Sequence, residues 1–194
     1  MRKKETLKDG TGILIRTLTL KDLEKLMVFY RSLPYEDRKY LRIDVTDQGA
    51  VEKKLRTMKD GSSVRIIAMH NDMIVAMGIL ELGTDDWRKN QGELRVVVAR
   101  DFQRKGLGMM IIRELYLLAV DQKVEKIVAK MLKPQIAARK IGEKIGLREE
   151  ISLPAYVKDQ DKKNQDLIIM TCNIDELWKE FETLYKDSDW QRCR

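Results

Sequence analysis

The sequence predicts one domain of the α/β (α+β) class, in which helices lie against a single mixed β-sheet. Runs rich in β-branched residues, such as residues 63–69 and 93–99, predict strands. Segments with apolar residues three or four positions apart, such as residues 23–30, predict helices. Both kinds of segment occur along the whole chain of 194 residues with no linker between them, so we expect one shared core.

The first third of the chain is expected to hold one strand and three helices behind a mobile lead-in, residues 1–11. The strand covers residues 12–18, and Thr19-Leu-Lys-Asp22 after it matches a capping box at a helix start. The helix that this box opens should end before Pro34, because proline interrupts a helix. Two shorter helices are expected next, over residues 34–42 and 47–58, the second ended by Asp60-Gly61.

The remaining elements are predicted to alternate between strands and helices. Residues 63–69 and 73–82 form a hairpin across Asn71-Asp72, since both residue types tolerate a positive φ. A third strand over residues 93–99 leads into a helix from Gly106 to about Val120. The elements after it are a strand over 125–132, a helix over 133–146, a hairpin of 155–158 with 166–172, and a helix over 174–185. The domain therefore spans residues 12–185, and residues 186–194 form a C-terminal tail.

Composition and charge narrow the classes of function. The formal net charge of +7 favours an anionic ligand, but Lys and Arg are spread along the chain, so a dedicated nucleic-acid binder is not favoured. Cys172 and Cys193 lie far apart and His70 is the one histidine, so neither a disulfide framework nor a metal site is expected. The charged N-terminus has no signal-peptide core, and no apolar run reaches membrane-spanning length. We expect a cytoplasmic protein.

The segment Asp101–Met110, DFQRKGLGMM, carries the clearest functional signal. Gly106 and Gly108 let the backbone turn tightly at the start of a helix, whose first N–H groups and dipole favour an anion. Arg104 and Lys105 add positive charge there, so the segment predicts a phosphate-bearing ligand. The spacing fits neither the P-loop nor the dinucleotide fingerprint, and two glycines alone also fit a simple strand-to-helix turn.

Together with its neighbours, this segment resembles the acetyl-CoA signature of the GNAT superfamily of N-acetyltransferases. Five residues after the strand residue Val98 comes Gln103-Arg-Lys-Gly-Leu-Gly108 and then a helix, as in that signature. A second element, residues 126–149, resembles the family's strand, helix and Gly-Phe ending, with Leu147 in place of Phe. The resemblance covers about Gly12 to Leu177 and implies a GNAT-like, mostly antiparallel central sheet flanked by helices.

The resemblance also implies where acetyl-CoA would bind. The pyrophosphate would lie on the turn, facing the backbone N–H groups of Arg104, Gly106 and Gly108. The pantetheine arm would pair with the strand at Val98, whose neighbouring N–H would polarise the thioester carbonyl. Gln135 stands where many members have an Asn that contacts pantetheine. The donor-binding residues implied in this way are Val96, Val97, Val98, Gln103, Arg104, Lys105, Gly106, Leu107, Gly108, Met109 and Gln135.

Two residues are candidates for the proton transfers of acetyl transfer. A primary amine is protonated at neutral pH and must lose a proton before it attacks the thioester. Glu93 begins the run ELRVVV, which resembles the pattern around a Glu in bacterial protein-lysine acetyltransferases. It is either the general base or a surface carboxylate paired with Arg95 or Lys130. Many members protonate the thiolate with a Tyr where this chain has Gly142, so Tyr156 is a substitute candidate, and a half-buried strand aromatic is the alternative.

The resemblance therefore implies an acetyl-CoA-dependent N-acetyltransferase acting on a protein lysine, a protein N-terminus or a small amine. The missing tyrosine at Gly142 motivates an alternative, a non-catalytic acyl-CoA sensor or regulatory module. A nucleic-acid binder rests on charge alone. The sequence leaves open the acceptor, the length of the acyl group, the general acid and whether the protein forms a homodimer.

Overall fold

The computed structural model describes residues 1–56 and 61–187, without the side chains of residues 181, 182 and 184–187. Within these residues, one sheet of eight strands is flanked by helices. The strands are β1 (Arg2–Thr6), β2 (Gly12–Thr17), β3 (Ser63–His70), β4 (Met73–Leu82), β5 (Gln91–Val98), β6 (Lys126–Leu132), β7 (Arg148–Lys158) and β8 (Asn164–Asn173). The helices are α1 (Leu23–Ser32), α2 (Tyr35–Arg38), α3 (Gln48–Arg56), α4 (Leu107–Asp121), α5 (Ile136–Lys144) and α6 (Ile174–Asp187). This arrangement confirms the predicted fold class.

The strand order in the sheet is β1-β2-β3-β4-β5-β6-β8-β7. Neighbouring strands are antiparallel except β5 and β6, which run parallel and pair only from Gln91 to Glu93 with Lys126 to Val128. Because β5 continues to Val98 and β6 to Leu132, the two strands separate after Glu93. We call the resulting gap, between residues 94–98 and 129–132, the wedge.

The sheet separates two apolar cores, and the side chains of β5 alternate between them. One core lies between the sheet and α4, where Ile111 is fully buried, and Val96 packs against it. The other lies beneath α1 and α3, and Val97 packs against it. Because successive strand residues point to opposite faces, Glu93 and Arg95 project to the same side as Val97. The side of the sheet that carries α1 and α3 therefore carries the polar side chains of β5.

Helix α4 lies directly against the middle of the sheet. Gly78 of β4 allows this approach, since a Cβ there would lie 2.5 Å from Ile111 Cγ2. Leu107, the first residue of α4, is completely buried in the same core. The packing thus fixes the N-terminal end of α4 beside the end of β5.

The N-terminal residues differ from the expected mobile lead-in over residues 1–11. Arg2–Thr6 forms β1, an edge strand that pairs antiparallel with β2. Glu5 accepts a hydrogen bond from Arg113 Nη2 of α4 at 2.7 Å, which joins the strand to the helix beneath it. The charged sequence RKKET concealed this strand because edge strands are often charged rather than alternating in hydrophobicity.

Several local predictions are confirmed. Thr19 N donates to Asp22 Oδ2 at 2.9 Å, as a capping box requires. Asn71 and Asp72 have φ values of 46° and 65°, which suits the tight hairpin between β3 and β4. The predicted terminal hairpin is the β7–β8 pair. The predicted helix end at Asp60 and most of the C-terminal tail, residues 188–194, lie outside the described residues.

Candidate active site

The turn between β5 and α4 is as tight as predicted at Gly106, whereas Gly108 lies within α4 and has no positive φ. β5 ends at Val98, a short 3₁₀ turn covers Arg100–Phe102, and α4 begins at Leu107. Gly106 caps the helix with a φ of 89°, in the left-handed region that favours glycine. Arg104 also has a positive φ, 61°, and its side chain is exposed. Two left-handed residues thus wind the chain tightly before the helix.

The start of α4 offers backbone N–H groups to a ligand. The N–H of Met110 donates to Gly106 O at 3.1 Å, so the N–H groups of Leu107, Gly108 and Met109 precede the first bond of the helix. A Cβ at Gly108 would meet only Val98 Cγ2, at 3.8 Å, so the space beside this residue is open. Oriented N–H groups, the helix dipole and an open space together make a site suited to phosphate.

Some side chains of the turn are engaged within the protein. Gln103 Nε2 donates to Val98 O at 3.0 Å and ties the turn to the end of β5. Lys105 Nζ lies 3.0 Å from Asp9 Oδ2, and its charge is therefore already paired. Hydrogen bonds from Thr11 and then Lys105 lower the pKa of Asp9 to about 2. A ligand at this turn would meet mainly backbone N–H groups, with Arg104 as the exposed cation.

The wedge leads from this turn into the sheet. Val96, Val97 and Val98 pair with Gly78, Met77 and Ala76 of β4 on one side only. On the side facing β6, strand pairing within the described residues ends at Glu93. A strand edge that is unpaired in the middle of a sheet can accept an extended ligand by backbone hydrogen bonds.

Glu93 lies where the wedge begins and is surrounded by positive charge. Its side chain is 13% exposed. Arg42 donates a hydrogen bond to Oε1, Lys130 Nζ lies 3.2 Å from Oε2, and Arg95 Nε lies 4.0 Å from Oε1. The pairing with Arg95 and Lys130 was one of the two alternatives from sequence. Arg42 was missed, because it follows α2 and lies 51 positions away in the chain.

The ion pairs around Glu93 extend along the same face of the sheet. Arg95 pairs with Glu81 of β4, and Arg42 Nη1 lies 4.0 Å from the same carboxylate. Arg65 of β3 is 5% exposed, and burial lowers its pKa. We call these residues the charged cluster: Arg42, Arg65, Glu81, Glu93, Arg95 and Lys130. Beyond the pairing of Glu93 with Arg95 or Lys130, the cluster was not predicted, because its members come from four strands and one loop.

The segment after α2 covers this side of the wedge. Gln160, at the tip of the β7–β8 hairpin, donates from its backbone N–H to Lys39 O at 3.1 Å. Its side-chain Nε2 donates to Ile43 O at 2.9 Å. Residues 39–43, which carry Arg42, therefore connect the hairpin tip to Glu93. The polar hairpin tip therefore holds the segment that covers this side of the wedge.

The surroundings of Gln135, Gly142 and Tyr156 differ from one another. Gln135 Oε1 accepts a hydrogen bond from the Leu132 N–H at 2.8 Å, which closes the turn before α5. A Cβ at Gly142 would lie 3.3 Å from Leu147 Cδ1 and from Met170 Sδ, so a tyrosine there would force both to move. Tyr156 is 65% exposed on the edge strand β7, which differs from the half-buried position considered as an alternative.

Comparison with known proteins assigns the family. Residues 13–148 match the family model described as the acetyltransferase (GNAT) domain. The match covers more than half of the chain, and the protein belongs to the GNAT acetyltransferase family. No curated protein matches the sequence.

Several solved structures share the fold at low sequence identity. RimJ of Mycobacterium smegmatis, solved in complex with CoA-disulfide, has a TM-score of 0.73 and 12% identity over 94% of this chain and 93% of that one. The ribosomal-protein-S5-alanine acetyltransferase from Vibrio fischeri has a TM-score of 0.72 and 11% identity, over 84% of this chain and 93% of that one. YncA, a putative acetyltransferase from Salmonella typhimurium solved with acetyl-CoA, has a TM-score of 0.70 and 17% identity, over 84% of this chain and 94% of that one. These similarities show the fold.

In residues 1–56 and 61–187, no group of three or more His, Cys, Asp or Glu side chains could hold a metal ion. None of the described helices is long and apolar enough to cross a membrane. The candidate active site consists of the wedge, the charged cluster and the turn at Gln103–Gly108, which we call the glycine turn.

Proposed function

We propose that this protein transfers the acetyl group of acetyl-CoA to a primary amine by direct attack on the thioester. The observation that carries the proposal is the wedge between β5 and β6, which opens onto the glycine turn at the start of α4. Membership of the GNAT family supports acetyl-CoA as the donor, and one structural neighbour was solved with that molecule. A cytoplasmic location, where acetyl-CoA is available, is part of the same proposal.

The donor would lie along the wedge with its pyrophosphate at the glycine turn. The N–H groups at Gly106, Gly108 and their neighbours would bind the phosphate oxygens, and Arg104 would add a positive charge. Pantetheine would pair with the open edge of β5 at Val96–Val98. Gln135 would contribute its amide NH₂ group and the second lone pair of its oxygen, since the Leu132 N–H takes only one of the two lone pairs.

The chemistry would take place near Glu93. The ammonium proton first passes to a base, and the neutral amine nitrogen then forms a bond to the thioester carbon as the C–S bond breaks. The nitrogen releases its second proton to solvent as the amide forms. Glu93 is the proposed base, since it projects beside the start of the wedge. Arg42 would have to leave it first, and its side chain is 42% exposed on a loop. The thiolate would take its proton from solvent, and the proposal does not depend on Tyr156.

Release of the CoA thiol tests the proposal. Purified protein is incubated with acetyl-CoA and a panel of small amines, peptides with free N-termini and lysine-containing peptides. The proposal expects thiol release that depends on the acceptor, together with a gain of one acetyl group in its mass. Tight CoA binding with no thiol release from any acceptor would overturn it.

A non-catalytic acyl-CoA sensor is the second candidate, and one observation favours it. Glu93 is held by three cations, so it is not available as a base in the described state. A sensor would bind acetyl-CoA and change its shape or its partner without consuming the ligand. The two functions differ in one result, since only the enzyme converts acetyl-CoA to CoA in the presence of an amine.

A further inference from the structure

We infer that the amine acceptor carries a carboxylate, which Arg65 and Arg95 bind on the α1–α3 side of the wedge. This inference rests on the proposed function and adds the class of acceptor to it. It starts from an excess of positive charge in the charged cluster. Among the described residues, Arg42, Arg65, Arg95 and Lys130 face two carboxylates, those of Glu81 and Glu93.

Arg65 is the least satisfied member of the cluster. Arg65 is only 5% exposed to solvent, and its Nε has no hydrogen-bond partner among the described residues. A buried guanidinium without full hydrogen bonding is costly, since it has lost its water without a compensating partner. Tyr30 lies near it, and burial raises the pKa of that phenol to about 12, so it supplies no negative charge. An anionic ligand would supply the negative charge and the hydrogen-bond acceptor that Arg65 lacks.

Arg95 shows the same deficiency on the neighbouring part of the sheet. Its Nε is buried and has no hydrogen-bond partner in the described part of the chain, although it lies 4.0 Å from Glu93 Oε1 and Nη2 pairs with Glu81. Ile79 of β4 pairs with Arg65 on one side and with Arg95 on the other, so the two arginines lie two strand spacings apart, about 10 Å between their Cα atoms. Two arginine side chains can converge on one carboxylate across that distance.

The position of the arginines relative to Glu93 fits an amine that carries this carboxylate. Glu93 and Arg95 are two residues apart on one strand and lie on the same face, about 7 Å apart at Cα. An acceptor whose carboxylate binds the arginines would place its amine towards Glu93 and the wedge. A polycationic acceptor would instead add positive charge to a cluster that already has an excess.

A carboxylate would also change the state of Glu93. Arg42 is the exposed member of the cluster; it donates a hydrogen bond to Glu93, and its Nη1 lies 4.0 Å from Glu81. A ligand carboxylate competes for this guanidinium and for that of Arg95, so two of the three cations around Glu93 are drawn towards the ligand. The acceptor would in this way weaken the ion pairing of the base that it needs.

A series of ω-amino acids, each compared with its primary amide, tests the inference. Glycine, β-alanine, 4-aminobutyrate and 6-aminohexanoate vary the separation of amine and carboxylate, and thiol release gives kcat/KM for every pair. We expect kcat/KM for at least one amino acid to exceed that for its amide by about tenfold or more, because a hydrogen bond to a charged group contributes that much binding free energy. Equal rates for every pair, or faster turnover of amides and polyamines, would overturn the inference while leaving the proposed function intact. No thiol release from any amine or peptide would overturn both.

Substitutions in the charged cluster test whether it causes the preference for acceptors that carry a carboxylate. Arg65→Gln should raise KM for the preferred carboxylate by about tenfold more than it raises KM for the corresponding amide. Arg42→Gln, at a loop position whose side chain is 42% exposed, should reduce the same preference. Arg56→Gln, on the exposed face of α3, is the matched control and should change neither substrate. A carboxylate preference that survives in both cluster variants would contradict the assignment.

Discussion

Arg42 donates a hydrogen bond to Glu93 at the point where β5 and β6 separate. The pair joins the segment after α2 to the strand edge that we propose for pantetheine. Residues 39–43 also hold the tip of the β7–β8 hairpin, through Gln160. One ion pair thus links the proposed base to the two surface elements that cover the acceptor side of the wedge.

Replacing Glu93 by glutamine should slow acetyl transfer much more than it weakens CoA binding. Glutamine keeps the shape but cannot take the ammonium proton, so we expect kcat to fall by about a hundredfold or more. The loss should be greatest below the pKa of the acceptor amine, where more of the amine is protonated. Steady-state kinetics and CoA titration check this, with Glu52→Gln on α3 as a control. An unaltered rate would show that Glu93 is not the base.

Gly108→Glu should abolish CoA binding in a folded protein. The space beside Gly108 is open, so the longer side chain fits without strain and places a negative charge where the pyrophosphate would bind. Gly108→Ala is the matched control, because its Cβ would lie 3.8 Å from Val98 Cγ2 and it adds no charge. Calorimetric titration with CoA should give no heat for the glutamate variant and near-normal affinity for the alanine variant. Equal affinity in both would refute this location.

Gly106→Ala should destabilise the fold. Gly106 has a φ of 89°, and a side chain in the left-handed region costs about 1–2 kcal/mol. Gly108 has no such backbone requirement, so Gly108→Ala again provides the comparison. Urea unfolding should give a lower free energy of unfolding for the Gly106 variant only. Identical midpoints for the two variants would show that the turn relaxes to accommodate alanine.

Acid should lower the free energy of unfolding, because Asp22 forms an ion pair with Arg16 in the folded protein. The hydrogen bond from Arg16 is the main cause that lowers the pKa of Asp22 to about 2, below its ordinary value of 3.8. A lowered pKa in the folded state gives stability that is complete above pH 4 and is lost as the pH falls towards 2, on the order of 2 kcal/mol. Asp22→Asn should flatten this part of the stability curve, measured by urea unfolding from pH 2 to 6. The same pH dependence in the variant would assign it to other carboxylates.

The donor side of the site was largely predictable from sequence, because its geometry is local. Gly106, Gly108 and Gln103 lie within six residues, and their turn depends on backbone freedom and on a helix start. The strand before the turn and the helix after it were visible as changes in hydrophobic period. Whether the predicted residues bind acetyl-CoA is still a prediction.

The acceptor side was not predictable in the same way, because its members meet only in the folded chain. Arg65 reads as an ordinary polar position in a strand, yet it is buried beside Arg95 and Glu81. Arg42 follows a short helix with no pattern that would relate it to Glu93. At Gly142 the missing tyrosine was visible, but the contacts with Leu147 and Met170 that restrict a larger residue were not.

A crystal structure with acetyl-CoA bound tests the central claim most directly. We predict the pyrophosphate at the N–H groups of Gly106 and Gly108, and pantetheine along the edge of β5 at Val96–Val98. The thioester should lie between β5 and β6 on the way to Glu93, with Arg42 accessible to an acceptor. Acetyl-CoA bound elsewhere, or a wedge closed by continued pairing of β5 with β6, would contradict the account.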